Sequence, residues 1–147
     1  MIDNSQTPKI SFCITCKNRF YQIKKTLPQN LEDNRRLQEI VEFVLVDFGS
    51  TDGLRKWISD NFKHEIRSGY LKYFHTEEMV YWHASIAKNT AHMLAQNDIL
   101  VNLDCDNYTG SNGGWFVILQ FIKNDGPMFL HQCSDDGFDG SFGRISI

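Results

Sequence analysis

What this chain lacks narrows its reading first. No apolar run approaches the ~20 residues that a membrane-spanning helix needs, and the opening Met1-Ile2-Asp3-Asn4-Ser5-Gln6-Thr7-Pro8-Lys9 has no apolar core of a signal peptide. Cytoplasmic residence is the expectation. Positive charge is not in excess: 15 Lys and Arg face 18 Asp and Glu, a net charge of -3. That balance offers no broad field for nucleic acid or an anionic membrane. Glycine is missing where phosphate loops need it. There is no G-x-x-x-x-G-K-[S/T] and no G-x-G-x-x-G, which argues against a P-loop NTPase and against a dinucleotide-binding dehydrogenase. The segment Cys16-Lys17-Asn18-Arg19 after the first apolar stretch has no glycine either, which argues against a sugar nucleotidyltransferase. There is no internal repeat, linker or low-complexity segment.

Cysteine is scarce, with four residues: Cys13, Cys16, Cys105 and Cys133. Cys13 and Cys16 form a C-x-x-C. A redox motif of that kind usually opens a helix, where the dipole lowers the thiol pKa. Here Cys13 lies inside the apolar Ile10-Ser11-Phe12-Cys13-Ile14. Zinc would need a second pair at matching spacing, and none exists. Small buried residues are the favoured reading, with a thiol-redox domain as a lesser rival.

What is present is ordinary for a soluble domain: 147 residues, 41% hydrophobic and 22% charged. Apolar stretches and helical patterns alternate. Strands are expected at Ile10 to Thr15, Val41 to Asp47, Tyr70 to Phe74, Ile99 to Leu103 and Pro127 to His131, with a last one near Gly143 to Ile147. Helices are expected at Arg19 to Asn34, Leu54 to Phe62, Trp82 to Gln96 and Gly113 to Lys123. In the first, Ile23, Leu27 and Leu31 share a face, and Pro28 is expected to kink or divide it. Ala84, Ala87, Ala91 and Ala95 give the third a small-residue side. Strands separated by helices imply a three-layer, Rossmann-like α/β sandwich with a mostly parallel central sheet. Ligands of such sheets bind beyond the carboxyl ends of the strands. Three polar clusters fall there: Thr15 to Arg19, Asp47 to Asp52 and Asp104 to Asn107.

The most informative cluster is Asp104-Cys105-Asp106, directly after Ile99-Leu100-Val101-Asn102-Leu103. Alternation along a strand points residues i and i+2 the same way. Two carboxylates so placed repel, and a hard divalent cation that keeps sites free for phosphate oxygens offsets the repulsion. A calcium loop fits poorly, because its sixth position needs Gly and is Thr109 here. Two solvated acids in a loop remain the plain alternative.

Four segments together resemble family 2 glycosyltransferases of the GT-A fold. They are Ile10 to Arg19, Val44-Leu45-Val46-Asp47-Phe48-Gly49-Ser50-Thr51-Asp52-Gly53, Ala87-Lys88-Asn89, and Asp98 to Asp106 with its D-x-D. They occur in the family's order and span nearly the whole chain. The resemblance implies a single nucleotide-sugar-binding domain over 1–147, incomplete on the acceptor side. It implies that Thr15, Cys16 and Asn18 line the nucleotide pocket with Arg19 nearby, and that Asp47 reaches the base or ribose. Lys88 would lie near the ribose or phosphates. Asp104 would contact the ribose or the metal shell, and Asp106 would bind Mn2+ or Mg2+ on the diphosphate. Each has a plainer alternative: Asn18 and Arg19 as a helix start, Asp47 as a turn cap, Lys88 on a solvated face, Trp82 and His83 in packing.

The implied reaction is metal-assisted transfer of a sugar from a nucleoside diphosphate donor, UDP first, to a glycan or other hydroxyl acceptor, with inversion. Two departures stand out. The family usually has an acid where this chain has Phe48, which leaves the donor base open. The expected region of the catalytic base is not reached, and Asp135, Asp136 and Asp139 read as turn formers. Donor binding with weak transfer is therefore expected, and a non-catalytic sugar-nucleotide-binding module or a ligand-free interaction domain remain rivals.

Overall fold

The computed structural model describes residues 7–124 and two further strands at 129–132 and 143–146. Strands β1 (Ile10–Cys16), β2 (Val41–Asp47), β3 (Leu71–His75) and β4 (Ile99–Asn102) form one parallel sheet in the order β3-β2-β1-β4. Between them run helices α1 (Phe20–Asp33), α2 (Leu54–Asn61), α3 (Lys63–Ser68) and α4 (Ala84–Leu94), and α5 (Gly113–Lys123) follows β4. All four carboxyl ends lie along one edge of the sheet, as parallel pairing requires.

β2 has no polar alternation because both its faces are covered, and all seven of its residues are buried. On one face Ile10, Phe12, Ile14 and Cys16 of β1 join Val41, Phe43 and Leu45 of β2. They pack with Ile23, Leu27 and Leu31 of α1, Leu54 and Ile58 of α2, and Ile118 of α5. On the other face Cys13, Val44, Val46 and Phe48 meet Ala87 and Ala91 of α4. The alanines let that helix approach closely. Each fully buried Ile or Leu stabilises the fold by roughly 1.5–3 kcal/mol. α5 also seats tightly at Gly114. A Cβ there would stand 2.9 Å from Val41 Cγ2 and 3.0 Å from Asn34 Oδ1.

The observed elements differ from the expected ones in instructive ways. Pro28 does not divide α1, which runs uninterrupted with the proline on its exposed side. A missing N–H there frees a carbonyl that water can reach. α3 was not expected, since its Lys-His-Glu-Ile-Arg-Ser has one apolar residue and no period. β4 ends at Asn102, before Leu103. The expected fifth strand exists as β5 (Phe129–Gln132), but it pairs antiparallel with β6 (Gly143–Ser146) in a separate two-stranded sheet. Asp135, Asp136 and Asp139 lie outside the described residues.

Candidate functional site

Two turns at the carboxyl edge carry the acids singled out above. The first follows β2. Asp47 is fully buried, and its carboxylate is filled by its neighbours. Oδ1 accepts from the Ser50 N–H at 2.9 Å, and Oδ2 accepts from the Tyr73 hydroxyl at 2.7 Å and lies 3.1 Å from His75 Nδ1. Burial, together with donation to Asp47, holds the Tyr73 hydroxyl above its ordinary pKa. Gly49 at φ +72° takes a left-handed conformation at this turn, which glycine adopts without strain. The turn also holds the loop after β1. Thr51 N–H donates to Asn18 Oδ1 at 2.8 Å, and Asn18 N–H donates to Ser50 Oγ at 2.9 Å. Asp52, not Asn18, caps α1 by accepting from Phe20 N–H at 2.8 Å.

The second turn follows β4. Asp104 and Asp106 do not lie on the strand, so strand alternation is not what aligns them. A tight turn does, closed by Asn107 N–H on the Asp104 carbonyl at 2.9 Å. That turn is held from outside by a buried polar stripe on α1 and just beyond it. Thr26 donates to the Cys105 carbonyl at 2.6 Å, and Asn30 Nδ2 donates to the Asn107 carbonyl at 3.0 Å. Asn30 Oδ1 accepts from Thr109 N–H at 2.8 Å. Asn34 continues the stripe, donating to Thr109 Oγ1 at 2.7 Å and accepting from Gly114 N–H at 2.8 Å. Thr26, Asn30 and Asn34 were missed at the sequence level. Their spacing of four put polar residues on the helix beside its apolar face, and that was the available signal.

Between the turns and the start of α4 lies a cleft of about 530 Å³. Thr15, Asn18, Arg19, Lys88, Asp104 and Asp106 line it, together with Lys17, Trp82, Ala84 and Cys105. Cys16 and Asp47 do not. Cys16 is 1% exposed beneath the cleft, and Asp47 is enclosed in its own turn. Lys17 was also missed. Its Nζ donates to the carbonyls of Phe48 at 2.7 Å and Met79 at 3.0 Å, joining three loops. Phe48 offers no open ring face. It is buried and meets Trp82 edge-on, at 5.9 Å between ring centroids. Trp82 is 47% exposed and carries the aromatic surface of the cleft instead.

Three cationic and two anionic side chains line this cleft. Lys88 Nζ stands 3.2 Å from Asp104 Oδ1. Asp106 makes no ion pair or side-chain hydrogen bond among the described residues. Among those residues no three His, Cys, Asp or Glu side chains are gathered to enclose a metal. Two carboxylates with open surroundings fit a hard cation that completes its shell with phosphate oxygens and water, and do not fit a closed structural site. A second cavity of about 600 Å³ lies on the other side of Phe48, lined largely by apolar groups such as Val46, Met79, Ile86 and Leu94. It has no carboxylate pair and no Lys or Arg, and its polar lining includes His75, Glu78 and His83.

The thiols settle one rival. Cys13 and Cys16 point to opposite faces of β1, into separate apolar clusters, and do not form a dithiol. Burial pushes the Cys13 thiol up to about 12. The interaction of the Cys16 and Cys105 side chains, with burial added, holds the Cys16 thiol well above the ordinary range. The same interaction favours the thiolate at Cys105.

A parallel sheet whose strand ends gather a carboxylate pair and three cations is an α/β domain with a charged cleft beyond its carboxyl edge. The family model described as glycosyl transferase family 2 matches residues 11–143, and the chain belongs to that family. No curated protein matches it. Among solved structures it is similar to the mannosyltransferase PcManGT from Pyrobaculum calidifontis in complex with GDP-Man and Mn2+. The two share 24% identity at a TM-score of 0.55, over 72% of this chain and 30% of that one. It is also similar to S. aureus TarS 1-349, with 18% identity and a TM-score of 0.65 over 78% of this chain and 32% of that one. The complex of TarS 1-349 with UDP-GlcNAc matches at 21% identity and a TM-score of 0.63, over 78% of this chain and 31% of that one. The chain thus spans about a third of the length of these structures, and the likeness is one of fold. No helix among the described residues is long and apolar enough to cross a membrane.

Proposed function

We propose that this chain is the donor-binding part of a glycosyltransferase that moves a sugar from a nucleoside diphosphate to an acceptor hydroxyl, with inversion and with metal assistance. One observation carries the reading: the turn bearing Asp104 and Asp106 has its backbone clamped by α1 while its carboxylates face a cleft lined with cations. The relatives in complex with GDP-Man and Mn2+ and with UDP-GlcNAc support it.

Asp106, with Asp104 beside it, would hold Mn2+ or Mg2+, which supplies Lewis-acid stabilisation of the charge that the diphosphate leaving group gains. Arg19 places a fixed positive charge at the phosphates. Lys88 does the same and gives up its pairing with Asp104 as the donor arrives. Thr15 and Asn18 set the floor on which the nucleoside rests, and Trp82 offers a face for stacking. Asp47 acts indirectly, by fixing the turn that holds Asn18. Asp104 and Asp106 are the carboxylates lining the cleft among the described residues, so no third acid there serves as base for the acceptor proton.

The test is an assay of the 147-residue chain with UDP- and GDP-sugars in Mn2+, following nucleotide binding and sugar release separately. Metal-dependent binding with slow release is the expected result. Rapid transfer would overturn the assignment of weak catalysis, and absence of any nucleotide binding would overturn the donor site itself.

A further inference from the structure

The three cations of the cleft are not equivalent. Lys88 faces a cleft carboxylate, at 3.2 Å. Lys17 is committed to the main chain instead. Its Nζ donates to the Phe48 carbonyl at 2.7 Å and to the Met79 carbonyl at 3.0 Å, which occupies two of the three N–H donors of an ammonium. Turning to a phosphate would leave two carbonyls in part-buried surroundings without their charged donor, which is unfavourable. Both carbonyls belong to the wall that carries Trp82. Phe48 meets the Trp82 ring edge-on, and Met79 stands three residues before it, in the irregular stretch 76–83 between β3 and α4. Met79 packs against Phe48 and its buried neighbours, and its sulfur accepts from the His83 N–H at 3.5 Å. Among the described residues, the bond from Lys17 is the one hydrogen bond that reaches 77–82 from the loops after β1 and β2.

We propose that Lys17 is a positioning residue for the nucleoside: it pins the main chain at Phe48 and Met79 so that Trp82 presents its ring to the base, and it does not bind the diphosphate. The assignment rests on the donor site proposed above, and it divides that site in two. Asp104, Asp106, Arg19 and Lys88 serve the metal and the phosphates. Lys17 and Trp82 serve the nucleoside. A half-exposed ring on an irregular stretch would otherwise have to be ordered as the ligand arrives. Fixed beforehand by the ammonium, it stacks on the base at a smaller loss of entropy, so the holding bond is felt directly in affinity. A charged donor suits the task, because its bonds to carbonyls are stronger than those of a neutral one.

The experiment measures UDP affinity in Mn2+ for the 147-residue chain, K17M, W82A and the double variant, with circular dichroism checking the fold and K17Q replacing K17M should that variant not fold. K17M and W82A should each weaken UDP about tenfold, and the two together no further, because Lys17 has nothing left to position once the ring is gone. K88M and W82A should instead multiply, to about a hundredfold, since they act on different halves of the ligand. A loss of about a hundredfold in the K17M and W82A pair overturns the proposal, because Lys17 would then act on the ligand independently of the ring. Unchanged affinity in either single variant overturns it too. A second readout needs no ligand. With W57F and W115F in place, Trp82 is the sole tryptophan, and K17M should raise the acrylamide quenching of its emission about twofold as the stretch loosens. Unchanged quenching overturns the positioning. If the parent chain binds no UDP, the donor site fails, and the quenching still decides whether Lys17 holds Trp82.

Discussion

The turn after β2 and the turn after β4 both follow buried parallel strands, and both carry aspartates. They differ in where the aspartates spend their hydrogen-bonding capacity. Asp47 turns inward and is filled by Ser50, Tyr73 and His75. Asp104 and Asp106 face the cleft, while the backbone that carries them is held by Thr26 and Asn30. A carboxylate already satisfied inside a fold maintains that fold. One left open on a rigid support is ready for a ligand and loses little entropy on binding it.

The largest effect that can break this contrast belongs to Asp47. D47A leaves a buried hydroxyl and a backbone N–H without their acceptor and should cost about 3 kcal/mol in urea unfolding. A neutral result would remove the distinction between the turns. N30A comes next. It strips two bonds from the β4 turn without touching the cleft, so about 2 kcal/mol of stability should go together with weaker nucleotide binding. Binding unchanged in a destabilised N30A would show that the clamp does not position the carboxylates. D106A should leave unfolding within about 0.5 kcal/mol of the parent and lower nucleotide affinity in Mn2+ about tenfold, near 1.4 kcal/mol.

The smallest effect sharpens the contrast from the opposite edge of the sheet. Glu42 is buried beside Ser11, Lys72 and the Gln96 N–H, at 2.6, 2.6 and 2.9 Å. Burial alone would raise its pKa, but Lys72, Ser11 and Gln96 together bring it below the ordinary 4.5. A lowered folded-state pKa gives stability that is fully present above the unfolded value and is lost as pH falls through the folded one. Unfolding followed downward from pH 5 should therefore show an acid limb that E42Q flattens, with nucleotide binding at neutral pH unchanged in E42Q.

Much of this was legible in the residues. The nearly continuous apolar run from Val41 to Asp47 announced a strand covered on both faces, and the apolar period of Ile23, Leu27 and Leu31 placed α1 on the sheet. The D-x-D was found for a partly mistaken reason, since a turn rather than strand alternation aligns it. What stayed hidden depended on contacts distant in sequence. Nothing local says that Asn30 meets Asn107 or that Lys17 reaches Met79. Asp47 looked like a ligand-binding acid because its sequence neighbours do not include Tyr73 and His75. β5 carried a correct strand pattern but no sign of which partner it would take.

The most direct measurement is the calorimetric affinity of the unmodified chain for UDP, in Mn2+ and again in EDTA. An affinity at least tenfold tighter with the metal supports the open carboxylates as the seat of a metal-bound diphosphate. Equal affinity in the two conditions would contradict it.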